Sequence, residues 1–245
     1  MRVPTGRPAA DSPGVEEDPG APEVRDPRAL GYARAAGVSG LVFAVLFGTA
    51  FVLVRQAPGL DGSDAAYTAF YSAGAGGAVV ALGLYVVPFA GIACLWHMVA
   101  TRTFLQVLRP RSWAEIPHLL HLASGVLFVA MVFFGTAAVG AVALQTRYSS
   151  APLPSPDVAR ALTAVGYTVV FVYAVRAAGM YMITTTGLVR SAGLLNRAAA
   201  VLSYLAATFL LVSTTFHPAI LLVFPAWVLL LSIVLLVHRP TGASR

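Results

Sequence analysis

Lysine is absent from this chain, and charge of either sign is scarce. All sixteen basic residues are arginines, and charged residues make up 11% of the 245 positions, against 58% that are hydrophobic. Soluble domains carry about 25% charged and about 45–50% apolar residues. A membrane domain is therefore predicted to account for nearly all of the chain. The net charge of +6 does not indicate a nucleic-acid partner, because the arginines are dispersed among loops and form no basic patch.

The chain has a single cysteine, and its long apolar segments have no carboxylate. The lone Cys94 excludes an intrachain disulfide and a cysteine-rich metal site. Six of the ten acidic residues lie before Arg28, and the long apolar segments contain none. No nucleotide-binding loop is present either. We therefore predict no catalytic residue and no cofactor, and nothing in the sequence indicates an enzyme.

Six apolar segments are what the chain does contain. A transmembrane helix needs about 20 residues to cross a hydrocarbon core of about 30 Å, and each segment approaches or exceeds that length. The sequence predicts an all-α, polytopic membrane bundle, with the last two helices joined by a tight turn at Phe216, His217 and Pro218. The predicted spans are 36–55, 75–100, 119–144, 158–186, 194–214 and 218–238.

Proline and charge define the flanking regions and the orientation. Residues 1–34 hold six prolines and six acidic residues, which predicts a disordered tail before a transmembrane domain at 35–238 and a short tail at 239–245.

With the N-terminus inside, only three loop arginines lie outside, namely Arg55, Arg147 and Arg160, against twelve inside. This bias predicts that both termini lie in the cytoplasm. Aromatic residues in the loop 56–74 predict one short interfacial helix.

The sixteenth arginine, Arg176, lies inside the fourth span. An intramembrane arginine costs about 2.5–3.5 kcal/mol on insertion scales and is a functional candidate by default. Its side chain leans toward the start of its helix and so toward the midplane. Candidate acceptors are the hydroxyls of Tyr173 and Thr184 and the carbonyl near Leu84, which Pro88 frees by removing a backbone donor. We hypothesise that Arg176, Tyr173 and Pro88 form a structural clamp or, alternatively, a ligand-binding site.

Three histidines offer a second candidate site. His97 ends the second span, and His118 and His121 share one face at the start of the third. Such a group is compatible with a metal, or with a haem held between His97 and His121. Supporting polar partners are scarce in sequence, Glu115 being the only one close by, so boundary anchoring beside Trp96 and Trp113 is the favoured interpretation.

Part of the chain resembles a known group of proteins. The run from Tyr85 to Trp96, YVVPFAGIACLW, is similar to a segment of uncharacterised six-span membrane proteins from high-GC Gram-positive (actinobacterial) bacteria. Further similarity covers Ser124 to Met131, the Arg176 region and Gly193 to Leu235. The resemblance implies a multi-pass location in a bacterial cell (inner or plasma) membrane and carries no catalytic residue across.

Three functional classes follow from these observations. A structural or accessory membrane subunit is favoured, because the spans hold no recognisable coupling-ion pathway. A small transporter or lipid-binding protein that uses Arg176 is the first alternative, and an inner-leaflet haem or metal protein is the second. The predicted partners are membrane lipids and a further membrane protein. A polar cavity reaching Arg176 is the feature expected to distinguish transport from an accessory role.

Overall fold

The computed structural model describes residues 27–72, 77–108 and 115–237. Over these ranges the protein is helical, without a β-strand, which confirms the predicted all-α class. Two helical stretches contain a π-helical segment, at Leu82–Val86 and at Val169–Ala174, and a 3-10 turn at Pro218–Leu222 precedes the last described helix. The helices are α1 (Pro27–Val54), α2 (Asp64–Ser72), α3 (Gly77–Ala81), α4 (Val87–Leu108), α5 (Glu115–Tyr148), α6 (Pro156–Thr168), α7 (Val175–Ser191), α8 (Arg197–Val212) and α9 (Val223–Val237).

Four of the helical stretches are long and apolar enough to cross a membrane. They are Arg28–Val54, Glu115–Tyr148, Pro156–Ser191 and Pro218–Val237, while the apolar helix Arg197–Val212 has only 16 residues. The protein is thus a helical membrane protein by length and composition. The count of six spans and the orientation stay predictions.

Helix α1 begins earlier than predicted. Residues 27–34 were assigned to a disordered tail, yet α1 starts at Pro27. Proline suits the first turn of a helix, because that position needs no backbone donor and the ring presets φ. Ala33 and Ala36 are buried, so tertiary packing holds α1 from its second turn onward. The rest of that tail, residues 1–26, and the tail at 239–245 lie outside the described residues.

Helix packing places α1 between α4 and α9, and α7 between α5 and α8. Two glycines of α1 permit its close approach to α4 and α9. A Cβ on Gly37 would collide with the Leu236 side chain, and one on Gly40 with Ser232 and His97. Small residues of this kind let membrane helices come close enough for van der Waals contact.

The bundle has two ends, which we name by arginines. The Arg55 end holds Arg55, α2 and the turn at Phe216, and the Arg102 end holds Arg102 and Arg190. The predicted short helix in the loop 56–74 is confirmed as α2, whose Tyr67 and Tyr71 pack with Val142 and Ala159 in a small second core. The connection between α8 and α9 is short, as predicted, with five residues before the 3-10 turn at Pro218–Leu222. The two helices do not form a closely packed hairpin, because α8 packs mainly on α7 and α9 mainly on α1.

Candidate functional sites in the helix bundle

Arg176 lies near the middle of the helical stretch Pro156–Ser191, about 24 Å along the axis from Arg160 and about 21 Å from Arg190 at 1.5 Å per residue. Its side chain is half-buried. The Nη1 atom donates a hydrogen bond of 2.7 Å to the carbonyl of Val172, one turn earlier on its own helix. The neighbouring Tyr173 ring is 56% exposed.

The acceptor of this bond belongs to the π-helical segment Val169–Ala174. There the N–H of Val175 bonds to the carbonyl of Val170, five residues earlier, so the helix carries an extra residue in that turn. Single π-turns occur often at functional sites. Sequence reasoning missed this segment because it has no proline, and valines at 169, 170 and 172 leave a pattern that an ordinary apolar helix shares.

The predicted contact between Arg176 and the second span, which contains Pro88, is not the one observed. Arg176 instead donates its hydrogen bond to Val172 within its own helix. Pro88 is preceded by the other π-helical segment, Leu82–Val86, where the N–H of Val87 bonds to the carbonyl of Leu82. The helix thus widens at the turn where Pro88 lacks a donor. Helix α4 packs on α1 and α5, and α7 packs on α5 and α8, so α5 lies between the two elements of the hypothesised clamp.

His97 is fully buried where α4 meets α1. Its Nδ1 lies 2.8 Å from the carbonyl of Ala36. A carbonyl only accepts, so Nδ1 carries the proton and Nε2 of the neutral ring is an acceptor. Within the described residues this Nε2 has no hydrogen-bond partner. Gly40 and Ser232 pack beside the ring, so His97 ties three helices together.

His121 joins α5 to α4 and α7. Its Nδ1 lies 2.8 Å from the Thr185 hydroxyl, and its Nε2 lies 3.3 Å from the Met98 carbonyl. The ring also packs against the Tyr181 ring in a tilted arrangement, with centroids 4.7 Å apart. Both ring nitrogens therefore face protein atoms.

A ligating histidine requires one nitrogen free for the metal, and in this structure both ring nitrogens of His121 face protein atoms. Among the described residues, no group of three or more His, Cys, Asp or Glu side chains could hold a metal ion. His118 is buried on the same helix as His121. The favoured anchoring interpretation is wrong for His97 and His121, because both lie in the interior with no exposed surface.

A cavity of about 100 Å³ lies toward the Arg55 end. Its walls come from α1, α5, the two stretches that contain π-helical segments, and the turn before α9. Leu82, Val170 and Phe171 from the π-helical segments line it, and Arg55 stands at its rim. Arg176 does not line this cavity, which is almost entirely apolar. No sequence pattern predicted it, because its residues come from five separate parts of the chain.

Arg160 connects α6 to α2 and to the loop before α2 at the Arg55 end. Its guanidinium donates to Asp64 at 2.6 Å, to Asp157 at 2.9 Å and to the Gly62 carbonyl at 3.1 Å. It also lies 5.2 Å from the centroid of the Tyr67 ring. Burial, with a smaller contribution from Tyr67, raises the pKa of Tyr71 in the same helix. Arg160 thus links the start of α6 to the loop before α2 and to α2 itself.

Comparisons of this chain with protein-family profiles, with curated proteins and with solved structures find no match. The resemblance to uncharacterised actinobacterial membrane proteins therefore stays a prediction.

Proposed function

We propose that this protein is an accessory subunit of a membrane-protein complex and that Arg176 is its intramembrane docking residue. We further propose six spans with both termini in the cytoplasm. Support for six spans comes from two further apolar stretches, α3–α4 and the short α8, which add to the four long ones, while the short α2 lies in a loop. Support for the orientation comes from the arginine distribution, which leaves Arg55, Arg147 and Arg160 outside.

The single observation that carries the docking role is the half-buried guanidinium of Arg176 in mid-helix. A guanidinium has five N–H donors, and the hydrogen bond to Val172 occupies one of them. Charge at this depth is normally paired with another charge or faces water. An opposite charge from outside the chain would complete the site.

The chain itself cannot supply that charge. After Asp64 the only acidic residues are Glu115 and Asp157, and these lie at the starts of α5 and α6. A second copy of this protein has the same composition, so it offers no intramembrane carboxylate either. We infer a different protein, with an aspartate or glutamate near the middle of a transmembrane helix.

The surface for this partner is the strip of Tyr173, Arg176 and Met180, which we name the Arg176 strip. Residues three, four and seven apart lie along one face of a helix. Tyr173 is exposed, and Arg176 and Met180 are half-buried. An accessory role is favoured over transport because the cavity toward the Arg55 end is apolar and Arg176 does not line it.

A defined peptide tests the proposal. The probe is a labelled polyleucine transmembrane peptide with one central Asp, and its association with the protein in vesicles is measured by energy transfer. We expect the Asp peptide to bind at least about tenfold more tightly than the same peptide with Leu, which corresponds to about 1.4 kcal/mol. R176M should remove this preference, and R176K should keep part of it.

A matched control is R190M, which removes an exposed arginine from the end of the same helix. It should leave the peptide preference unchanged. Thermal unfolding of each variant separates docking from a structural clamp. If R176M lowers the melting temperature while the Asp and Leu peptides bind the wild type equally, the clamp is correct and the docking role is wrong.

A further inference from the structure

The cavity at the Arg55 end combines an apolar interior with one cation at its rim. Of its polar side chains, Thr136 already donates its hydroxyl to the Val132 carbonyl at 2.7 Å. Arg55 is exposed in the turn after α1, and its guanidinium lies 5.7 Å from the centroid of the Phe51 ring. The site thus has an apolar wall and a positive group on the same side of one helix end.

The size of the cavity restricts what fits inside. Its volume of about 100 Å³ is smaller than an engineered cavity of about 150 Å³ that stays dry and binds benzene. A segment of one hydrocarbon chain fits this space, and two chains side by side do not. A polar molecule is disfavoured, because the lining is almost entirely apolar and offers few groups to replace the hydrogen bonds of water.

The positive charge of Arg55 decides which lipid is preferred. In a bilayer an acyl chain gains little by moving from lipid to an apolar cavity, since both surroundings are apolar. Selectivity must therefore come from the headgroup that reaches Arg55. Arginine pairs well with phosphate, because its planar N–H groups match two phosphate oxygens.

We propose that the cavity is a binding site for one anionic phospholipid, with a segment of one acyl chain inside and the phosphate on Arg55. Helix geometry keeps the space open. Gly135 and Gly166 let α5 and α6 touch, because a Cβ on Gly166 would lie 2.6 Å from the Gly135 carbonyl. The π-helical segments then place Leu82 and Val170 on the remaining walls. This inference does not depend on the docking role of Arg176.

Lipid binding to the purified full chain tests the site. The probes are vesicles or nanodiscs of phosphatidylglycerol or phosphatidylcholine, with bound lipid measured by native mass spectrometry. We expect phosphatidylglycerol to be retained about fivefold more than phosphatidylcholine, a preference of about 1 kcal/mol. R55Q should reduce the preference to near unity, and R147Q, at the end of α5 and away from the cavity, should leave it unchanged.

Filling the cavity is the second test. Ala50 is buried in the cavity wall, so A50L should displace the acyl chain, and V45L on the lipid-facing side of α1 should not. If A50L fails to fold, T136L fills the same cavity from α5 and gives the same readout. Equal retention of the two lipids by the wild type, or equal losses in R55Q and R147Q, would overturn the proposal.

Discussion

The Nδ1 atom of His97 lies 2.8 Å from the carbonyl oxygen of Ala36, which joins α4 to α1 across 61 residues of sequence. This bond lies in the interior, where water does not compete for either partner. Polar contacts between membrane helices contribute about 0.6 to 2 kcal/mol each. His97 is therefore best understood as a structural connection.

Replacing His97 should loosen the contact between α1 and α4. We expect H97L to lower the free energy of unfolding by about 1–2 kcal/mol, because the bond to Ala36 is lost and leucine differs in shape. Denaturation in a mixed detergent measures this change. The control is W96L, whose side chain is 65% exposed one residue earlier and should matter little. Equal stability of H97L and W96L would contradict the structural role.

Gly40 should tolerate no side chain. A Cβ there would collide with Ser232 and His97, so we expect G40V to destabilise by about 1–3 kcal/mol through overpacking. Gly48 on the same helix has open space around its Cβ position, and G48V is the matched control. Thermal melts of both variants check the difference. A G40V protein as stable as G48V would show that α1 and α9 do not pack closely.

Thr185 should stabilise the position of His121. T185V keeps the shape of the side chain but removes the hydroxyl that faces Nδ1 at 2.8 Å. We expect a loss of about 0.6 to 2 kcal/mol in unfolding free energy. In a double-mutant cycle with H121L, the two losses should be less than additive. Full additivity would mean that the two side chains do not interact.

Arg160 should hold α2 against the bundle. R160Q removes the contacts with Asp64 and Asp157, so we expect faster amide hydrogen exchange in Asp64–Ser72 without global unfolding. The wild type should also exchange faster in this helix at high salt, since exposed ion pairs are screened. R147Q, which removes an arginine at the same end, should leave exchange in α2 unchanged. Unaltered protection in R160Q would assign the docking of α2 to Tyr67 and Tyr71 alone.

Sequence reasoning succeeded where a pattern has one physical meaning. Long runs of apolar residues predicted the helices, and the aromatic loop predicted α2. It failed where a contact depends on distant residues. His97 and His121 looked like boundary anchors because they end or begin apolar runs, yet both are fully buried. The sequence predicts a contact between Arg176 and the span that contains Pro88, but α5 lies between these two elements.

The sequence alone determined the apolar surroundings of this protein and the lack of an acidic residue within its predicted spans, because both follow directly from composition. That lack leaves Arg176 without an ion-pair partner inside the predicted spans, whatever the fold. Only the tertiary structure decided which carbonyl His97 meets, where the π-helical segments lie and that a cavity opens beside Arg55. These features depend on how helices pack against one another, and packing is a property of residues far apart in the chain.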